Sequence, residues 1–192
     1  MPFRFIFHID DEHVFEAHLI SAQCVANCKS GRRCLHRVVI GLPYCYVHLL
    51  TIKHLRIKKS NIPNAGLGLF VEDKTKAIGD VIYKKDSIIA EYTGQIINKQ
   101  TLEDRYGNKT APYALRVSDD RYIDAALERS FMSIANGYRT KAPCNAQFAN
   151  PAPRTKRINV KALKSIRNGD EILLWYGNEY QFQGNHSTQR KK

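Results

Sequence analysis

The 192-residue chain predicts a mostly β domain preceded by a small metal-binding module, and three observations carry that expectation. Short apolar runs recur from Leu55 onward with turn residues between them, and the stretch contains almost nothing of helical period. Four of the five cysteines crowd between Cys24 and Cys45. A hydrophobic content of 43% suffices to bury a real core, so disorder is not the default.

Taken in order, residues 1–20 open with Phe3, Phe5 and Phe7 alternating with Arg4, Ile6 and His8. That period of two predicts a short half-buried strand ended by Asp10-Asp11-Glu12. Residues 21–50 form the cysteine-rich block, closing in the apolar stretch Val47-His48-Leu49-Leu50. Strands are then expected over 55–58, 68–72, 81–83, 88–97, 113–117, 122–125, 146–148, 157–163 and 171–176. Only 101–106 reads as a short helix, with Thr101 as its hydroxyl cap. Many short strands with one short helix imply several small sheets. Residues 183–192 are polar and basic and read as a flexible tail.

The formal charge is +12. Such a surface attracts polyanions, so non-specific contact with nucleic acid or a nucleosome is expected of it. No apolar run approaches the roughly 20 residues of a membrane span, and Met1-Pro2-Phe3-Arg4 has no apolar signal core. An intracellular protein with no membrane partner is expected. An odd number of cysteines without a secretory signal argues for thiolate or metal chemistry over a disulfide framework.

Cys24, Cys34, Cys45 and His48 have the spacing of a compact zinc knuckle. Zinc takes four tetrahedral soft or borderline ligands, and the closing Cys45-x-x-His48 pair lets one turn offer two of them. The block is too short and charged for a core of its own, so the metal would supply folding energy. Cys28 is a fifth candidate that could replace His48, and reduced, partly buried thiols are the bland alternative. Lone Cys144 is expected to pack.

From Leu55 to Tyr180 a set of short motifs follows in fixed order. They are Gly66-Leu67-Gly68, Glu91-Tyr92-Thr93-Gly94, Ile123-Asp124-Ala125, Ala135-Asn136-Gly137, Asn145-Ala146-Gln147-Phe148 and Gly169-Asp170-Glu171-Ile172-Leu173-Leu174-Trp175-Tyr176-Gly177. In this order they resemble the SET-domain protein-lysine methyltransferases over about residues 53–180, and Trp175-Tyr176-Gly177 is similar to the PR-type branch.

The resemblance implies a SET-type β-clip fold of several short sheets with a threaded C-terminal segment. It implies methylation of a protein lysine, with a histone as the substrate class, the nucleus as the compartment and S-adenosylmethionine as methyl donor. Gly66, Leu67, Gly68, Tyr92, Asn136, Gly137 and Tyr176 would hold the cofactor, glycines letting main chain approach it closely. Tyr176 would orient the amine, with Tyr113 or Tyr122 as the second aromatic wall of the lysine channel. Leu174 stands where relatives often carry an aromatic residue that limits methyl number, so more than one methyl is expected.

Departures from the family pattern are specific. Gly137 replaces the histidine after Asn136, and the cysteine usually just beyond it is absent. Asn136 and Asn145 lie nine positions apart where six is usual, the extra residues being 138–142. Ser133 stands where an arginine is usual, and no cysteine cluster follows Tyr180. They motivate a second reading, a SET scaffold with little or no turnover that binds protein or nucleic acid. A third is a plain nucleic-acid-binding protein built on the Cys/His block.

Overall fold

A computed structural model describes residues 3–8, 14–19, 22–38, 42–107, 111–138, 140–149 and 157–176. The chain is mostly β, with short strands grouped into small sheets and few helical turns. Gly177, Tyr180, Phe182 and the 183–192 tail lie outside the described residues.

Phe3–His8 pairs antiparallel with Val14–Leu19, so the opening strand belongs to a hairpin. Ala22–Gln23 pairs with Arg37–Val38 at the base of the cysteine block. The block ends in a helix, Tyr46–Lys53, that the sequence pattern did not suggest. Its eight residues show no amphipathic stripe and no side-chain cap, because two of them serve the Cys/His cluster and the core instead. His54 ends it in the left-handed conformation, with its amide donating to Leu50.

Leu55–Lys59 then pairs with Leu67–Val71. The second of these strands is buried from Gly68 to Val71, since the closing segment covers its other edge through Val71 N to Asp170 O and Ile172 N to Leu69 O. The expected 88–97 strand is two strands, Ile88–Tyr92 and Gln95–Ile97, split by a turn at Thr93-Gly94. The helix runs Lys99–Tyr106, and its cap is Asn98, not Thr101. Asn98 Oδ1 accepts from Thr101 N at 2.9 Å.

Two sheets position the site. One has the order Ala114–Ser118, Arg121–Asp124, Gln95–Ile97. The other has the order Gly137–Tyr138, Leu174–Trp175, Ala146–Phe148, Ile158–Ala162, Ile88–Tyr92. In Ile158–Ala162 strict alternation sends Ile158, Val160 and Ala162 into the core. Leu174–Trp175 is parallel to both of its neighbours, which precede it in the chain. The last strand therefore inserts between two strands joined only by residues 139–145, and this is the threaded C-terminal segment. Such threading is rare in proteins.

Beneath these sheets lies one apolar core that includes Leu69, Val71, Met132, Val160, Ile172 and Leu174. Beside it sits a buried ionic group. Asp124 is fully buried and accepts from Arg105 Nη1 at 2.6 Å, Tyr106 Oη at 3.1 Å and Ala126 N at 2.9 Å. Burial, with the Asp124 carboxylate beside it, pushes the Tyr106 phenol well above its ordinary value. Tyr106 thus contributes stability that is complete below the unfolded-state value near pH 10 and declines above it. Removing one member of a buried pair leaves an uncompensated charge. Arg105→Ala should therefore lower unfolding stability by about 3 kcal/mol, the low end of the usual range because Tyr106 and Ala126 still donate. Urea denaturation followed by circular dichroism measures it.

Candidate active site and metal centre

The Gly66–Gly68 turn, Asn136 and Tyr176 converge. Gly66 takes the left-handed conformation at φ +72°, and nothing lies within 4 Å of where its Cβ would project. Asn136 Nδ2 donates to Leu67 O at 2.8 Å and to Glu171 Oε1 at 3.3 Å. The main-chain carbonyl of Asn136 accepts from Leu174 N at 2.7 Å. One residue earlier, Ala135 O accepts from the Tyr176 phenol at 2.7 Å. The Ala135-Asn136 segment is thus bonded to the glycine turn on one side and to the terminal tyrosine on the other.

Gly68 and Gly137 are required by close packing. A Cβ at Gly68 would collide with Glu171 Oε1 and lie 3.3 Å from Asn136 Nδ2. A Cβ at Gly137 would collide with Leu174 O and the Tyr176 ring. The histidine usual at position 137 has no room here, since the tyrosine ring occupies its place. Among the extra residues, Lys141 lies over the closing segment, its Nζ 4.8 Å from the centre of the Trp175 ring.

Glu171 was visible in the closing motif, but its role was not. Only 5% exposed, its carboxylate accepts from Ser60 Oγ at 2.6 Å and Asn61 N at 2.7 Å in addition to Asn136. These donors sustain a buried charge. No sequence signal marks Ser60, which is 111 positions away. Asn145, 7% exposed, holds the same segment from the other side. Its Nδ2 donates to Glu171 O at 2.7 Å and its Oδ1 accepts from Leu173 N at 2.8 Å.

Tyr92, Phe148 and Tyr176 form an aromatic row. The Tyr92 and Phe148 ring centres are 5.4 Å apart edge to face, and those of Phe148 and Tyr176 are 6.0 Å apart. Tyr92 Oη donates to Tyr113 O at 2.9 Å, and the Tyr113 ring packs against the core with the Arg129 guanidinium 4.5 Å from its centre. Tyr122 is not brought to this row. It neighbours core-facing Ile123 in the middle of the three-stranded sheet, and strand alternation sends it to the opposite face.

The acidic residues available to a substrate cleft divide differently from their sequence positions. Asp124 is consumed by Arg105. Asp119 pairs with Arg116, and Asp120 accepts from Lys99 N. Glu91 and Glu128 line an open cavity of about 490 Å³ together with Tyr44, Lys53 and Phe131.

In the cysteine block, the ligand atoms of Cys24, Cys34, Cys45 and His48 lie within 4.8 Å of one another, all buried. His48 Nδ1 is 3.5 Å from Cys24 Sγ and 3.3 Å from Cys45 Sγ, and Cys34 and Cys45 Sγ are 3.9 Å apart. A tetrahedral zinc with ordinary bond lengths requires edges of roughly 3.5–3.8 Å, so the donor set fits that ion. Cys28 is exposed and outside the cluster, leaving His48 as the fourth donor. Burial opposes the Cys24 thiolate, yet the Cys45 and Ala26 amides and the His48 ring outweigh it and bring the thiol down to about 7. Burial pushes the Cys45 and Cys144 thiols up. Cys144 is packed as expected, 2% exposed. Cys34→Ser should abolish stoichiometric zinc in the purified protein and lower its melting temperature, and strong chelation of the unaltered protein should do the same. Elemental analysis and calorimetry read both.

Comparison with known proteins places this geometry. The SET domain model matches residues 78–177. Histone-lysine N-methyltransferase set-17 of Caenorhabditis elegans is 30% identical over 128 residues, 65% of this chain. The chain spans 41% of that relative's length. Among solved structures, polycomb repressive complex 2 of Chaetomium thermophilum shares the fold with a TM-score of 0.53 and 20% identity, over 66% of this chain and 15% of that one. An active polycomb repressive complex 2 in the basal state matches with a TM-score of 0.50 and 22% identity, over 64% of this chain and 15% of that one. With the family's motifs assembled around one threaded segment and the domain model matching more than half of its length, the chain belongs to the SET-domain family.

Proposed function

We propose that the protein methylates a lysine side chain of a protein, a histone being the substrate class and the nucleus the compartment, with S-adenosylmethionine as the methyl donor. The convergence of the Gly66–Gly68 turn, Asn136 and Tyr176 is the observation that supports this reading most. When bound, S-adenosylmethionine supplies a methyl on a sulfonium. The residues fit it. The main chain beside Gly66 is open, Leu67 is exposed, and Asn136 Oδ1 accepts no hydrogen bond among the described residues. Gly137 keeps its backbone groups for the same purpose.

The substrate amine ordinarily titrates near 10.4 and must be neutral to react. Tyr92, Phe148 and Tyr176 present ring surfaces, and the hydroxyls of both tyrosines are bonded to main-chain carbonyls. A wall of this kind solvates an ammonium poorly and so favours the neutral amine. Tyr113, whose carbonyl fixes the Tyr92 hydroxyl, is the adjoining wall; Tyr122, on the opposite face, has no part in this assignment. Tyr176 orients the amine, its ring held between Gly137 and Phe148. A scaffold without turnover is less well supported, because the Gly137 change is matched by the tyrosine ring that fills its space. The structural ion of the Cys/His cluster is proposed as zinc.

Two outcomes follow. With recombinant histones and labelled donor, the full chain should transfer methyl, and Tyr176→Phe should lower kcat about 100-fold or more without lowering the melting temperature. Intact donor binding by calorimetry with no transfer to any protein pool would overturn the enzymatic reading in favour of the scaffold. Leu174 is fully buried and has no hydroxyl to hold a water beside the amine. Mass spectrometry of the product should show di- or trimethyl-lysine, and a purely monomethyl product contradicts it.

A further inference from the structure

Residues 17–71 contain eight Lys or Arg and no Asp or Glu. Much of this stretch is the Cys/His module, and its architecture gives the charge a shape. Residues 22–38 form one continuous hairpin. Ala22 pairs with Val38 and Gln23 with Arg37, then Cys24 N bonds His36 O, Cys34 N bonds Ala26 O, and Cys28 N bonds Arg32 O. Lys29 sits in the exposed tip. Opposed residues of a hairpin share a face, so Arg32 and His36 project to the side that carries Cys24 and Cys34. Four residues apart along the chain, they can stand at most about 14 Å from each other.

His36 does not stand alone. Its ring lies parallel to Tyr46 with centres 5.8 Å apart and planes 12° apart. Tyr46, the first residue of the helix that supplies His48, is 78% exposed. A tyrosine ring stacked on one face and open on the other costs hydration and contributes little to folding. Its position is set by the Cys/His cluster, which includes Cys45 beside it and Cys34 two residues before His36.

We propose that this edge of the module is a binding platform for single-stranded nucleic acid, the open Tyr46 ring stacking on an unpaired base while Arg32 and Lys29 hold the phosphates that follow. Stacking on an aromatic ring next to a positive track is the physical basis of sequence-tolerant single-strand binding. A duplex hides its base faces and would engage only the charges. This function is separate from methyl transfer and does not rest on it. The opposite face of the hairpin carries the exposed cross-strand pair Val25 and Leu35 with Arg33, which would instead suit an acidic, apolar polypeptide. The ring stack lies on the other side and favours the nucleic acid.

Fluorescence anisotropy of the full chain with a labelled mixed-sequence 12-mer DNA, single-stranded or annealed to its complement, tests this. Tyr46→Ala should weaken single-strand binding between about five-fold and a hundred-fold and leave duplex binding unchanged, while Tyr46→Phe should keep it. Arg32→Ala should reduce the slope of log affinity against log salt by about 0.7. Zinc content and melting temperature confirm that each variant is folded, as both positions are exposed. Lys84→Ala with Lys85→Ala, in the segment that follows the Val81–Tyr83 strand and outside the Cys/His module, should have no effect beyond its own charge loss. Single-strand affinity unchanged in Tyr46→Ala overturns the proposal. So does poly-glutamate binding that Leu35→Ser abolishes while DNA binding stays insensitive to Tyr46, which would assign the module to an acidic protein.

Discussion

A carboxylate lodged where a glycine has no side chain holds the candidate active site together. Glu171 occupies the hollow beside Gly68, and any Cβ there would displace it. Its charge is sustained by the Ser60 hydroxyl and the Asn61 main-chain amide from one part of the chain and by the Asn136 side-chain amide from another, so that with its own segment three parts of the chain meet there. Because a buried charge with fewer donors would be expensive, the three segments must arrive together or not at all. This requirement ties the loop after Leu55–Lys59, the Asn136 turn and the closing segment into one unit.

From that unit the remaining geometry follows. With the closing segment pinned at Glu171 and gripped by Asn145, residues 174–175 can only lie between the strands on either side of residues 139–145. Insertion there brings the Tyr176 ring over Gly137 and its hydroxyl to Ala135. The same main-chain turn presents Asn136 to the glycine loop. The proposed cofactor cradle and aromatic channel are thus two sides of one three-residue segment, so disturbing either one would move the other.

The domain and the module divide the physical tasks. The domain buries its ionic group, Arg105 with Asp124, and builds a conventional apolar core. The module has a small core of its own around three cysteines, and its four donors stand at the spacing of a tetrahedral ion. Its surface is free of acidic side chains, whereas acids are interspersed with bases from Glu72 onward. The basic charge of the module is therefore uncompensated, unlike that of the domain.

The fold class, the order of the motifs and the Cys24, Cys34, Cys45, His48 set were legible because each rests on local spacing: strand period, turn residues and a Cys-x-x-His step. The Tyr46–Lys53 helix was not, since His48 in the Cys/His cluster and Leu49 in the core hold it in place of an apolar stripe. Nor was the cap at Asn98, one competing polar residue among several nearby. By itself the sequence determined which residue types stand in which order, and so the family and its chemistry. Only the tertiary structure decided that Gly68 makes room for Glu171, that Tyr92 joins Phe148 and Tyr176 while Tyr122 faces away, and that Gly137 yields its place to a tyrosine ring. These depend on contacts up to 111 positions apart, created when a strand inserts between two earlier ones, and no local pattern encodes the register of that insertion.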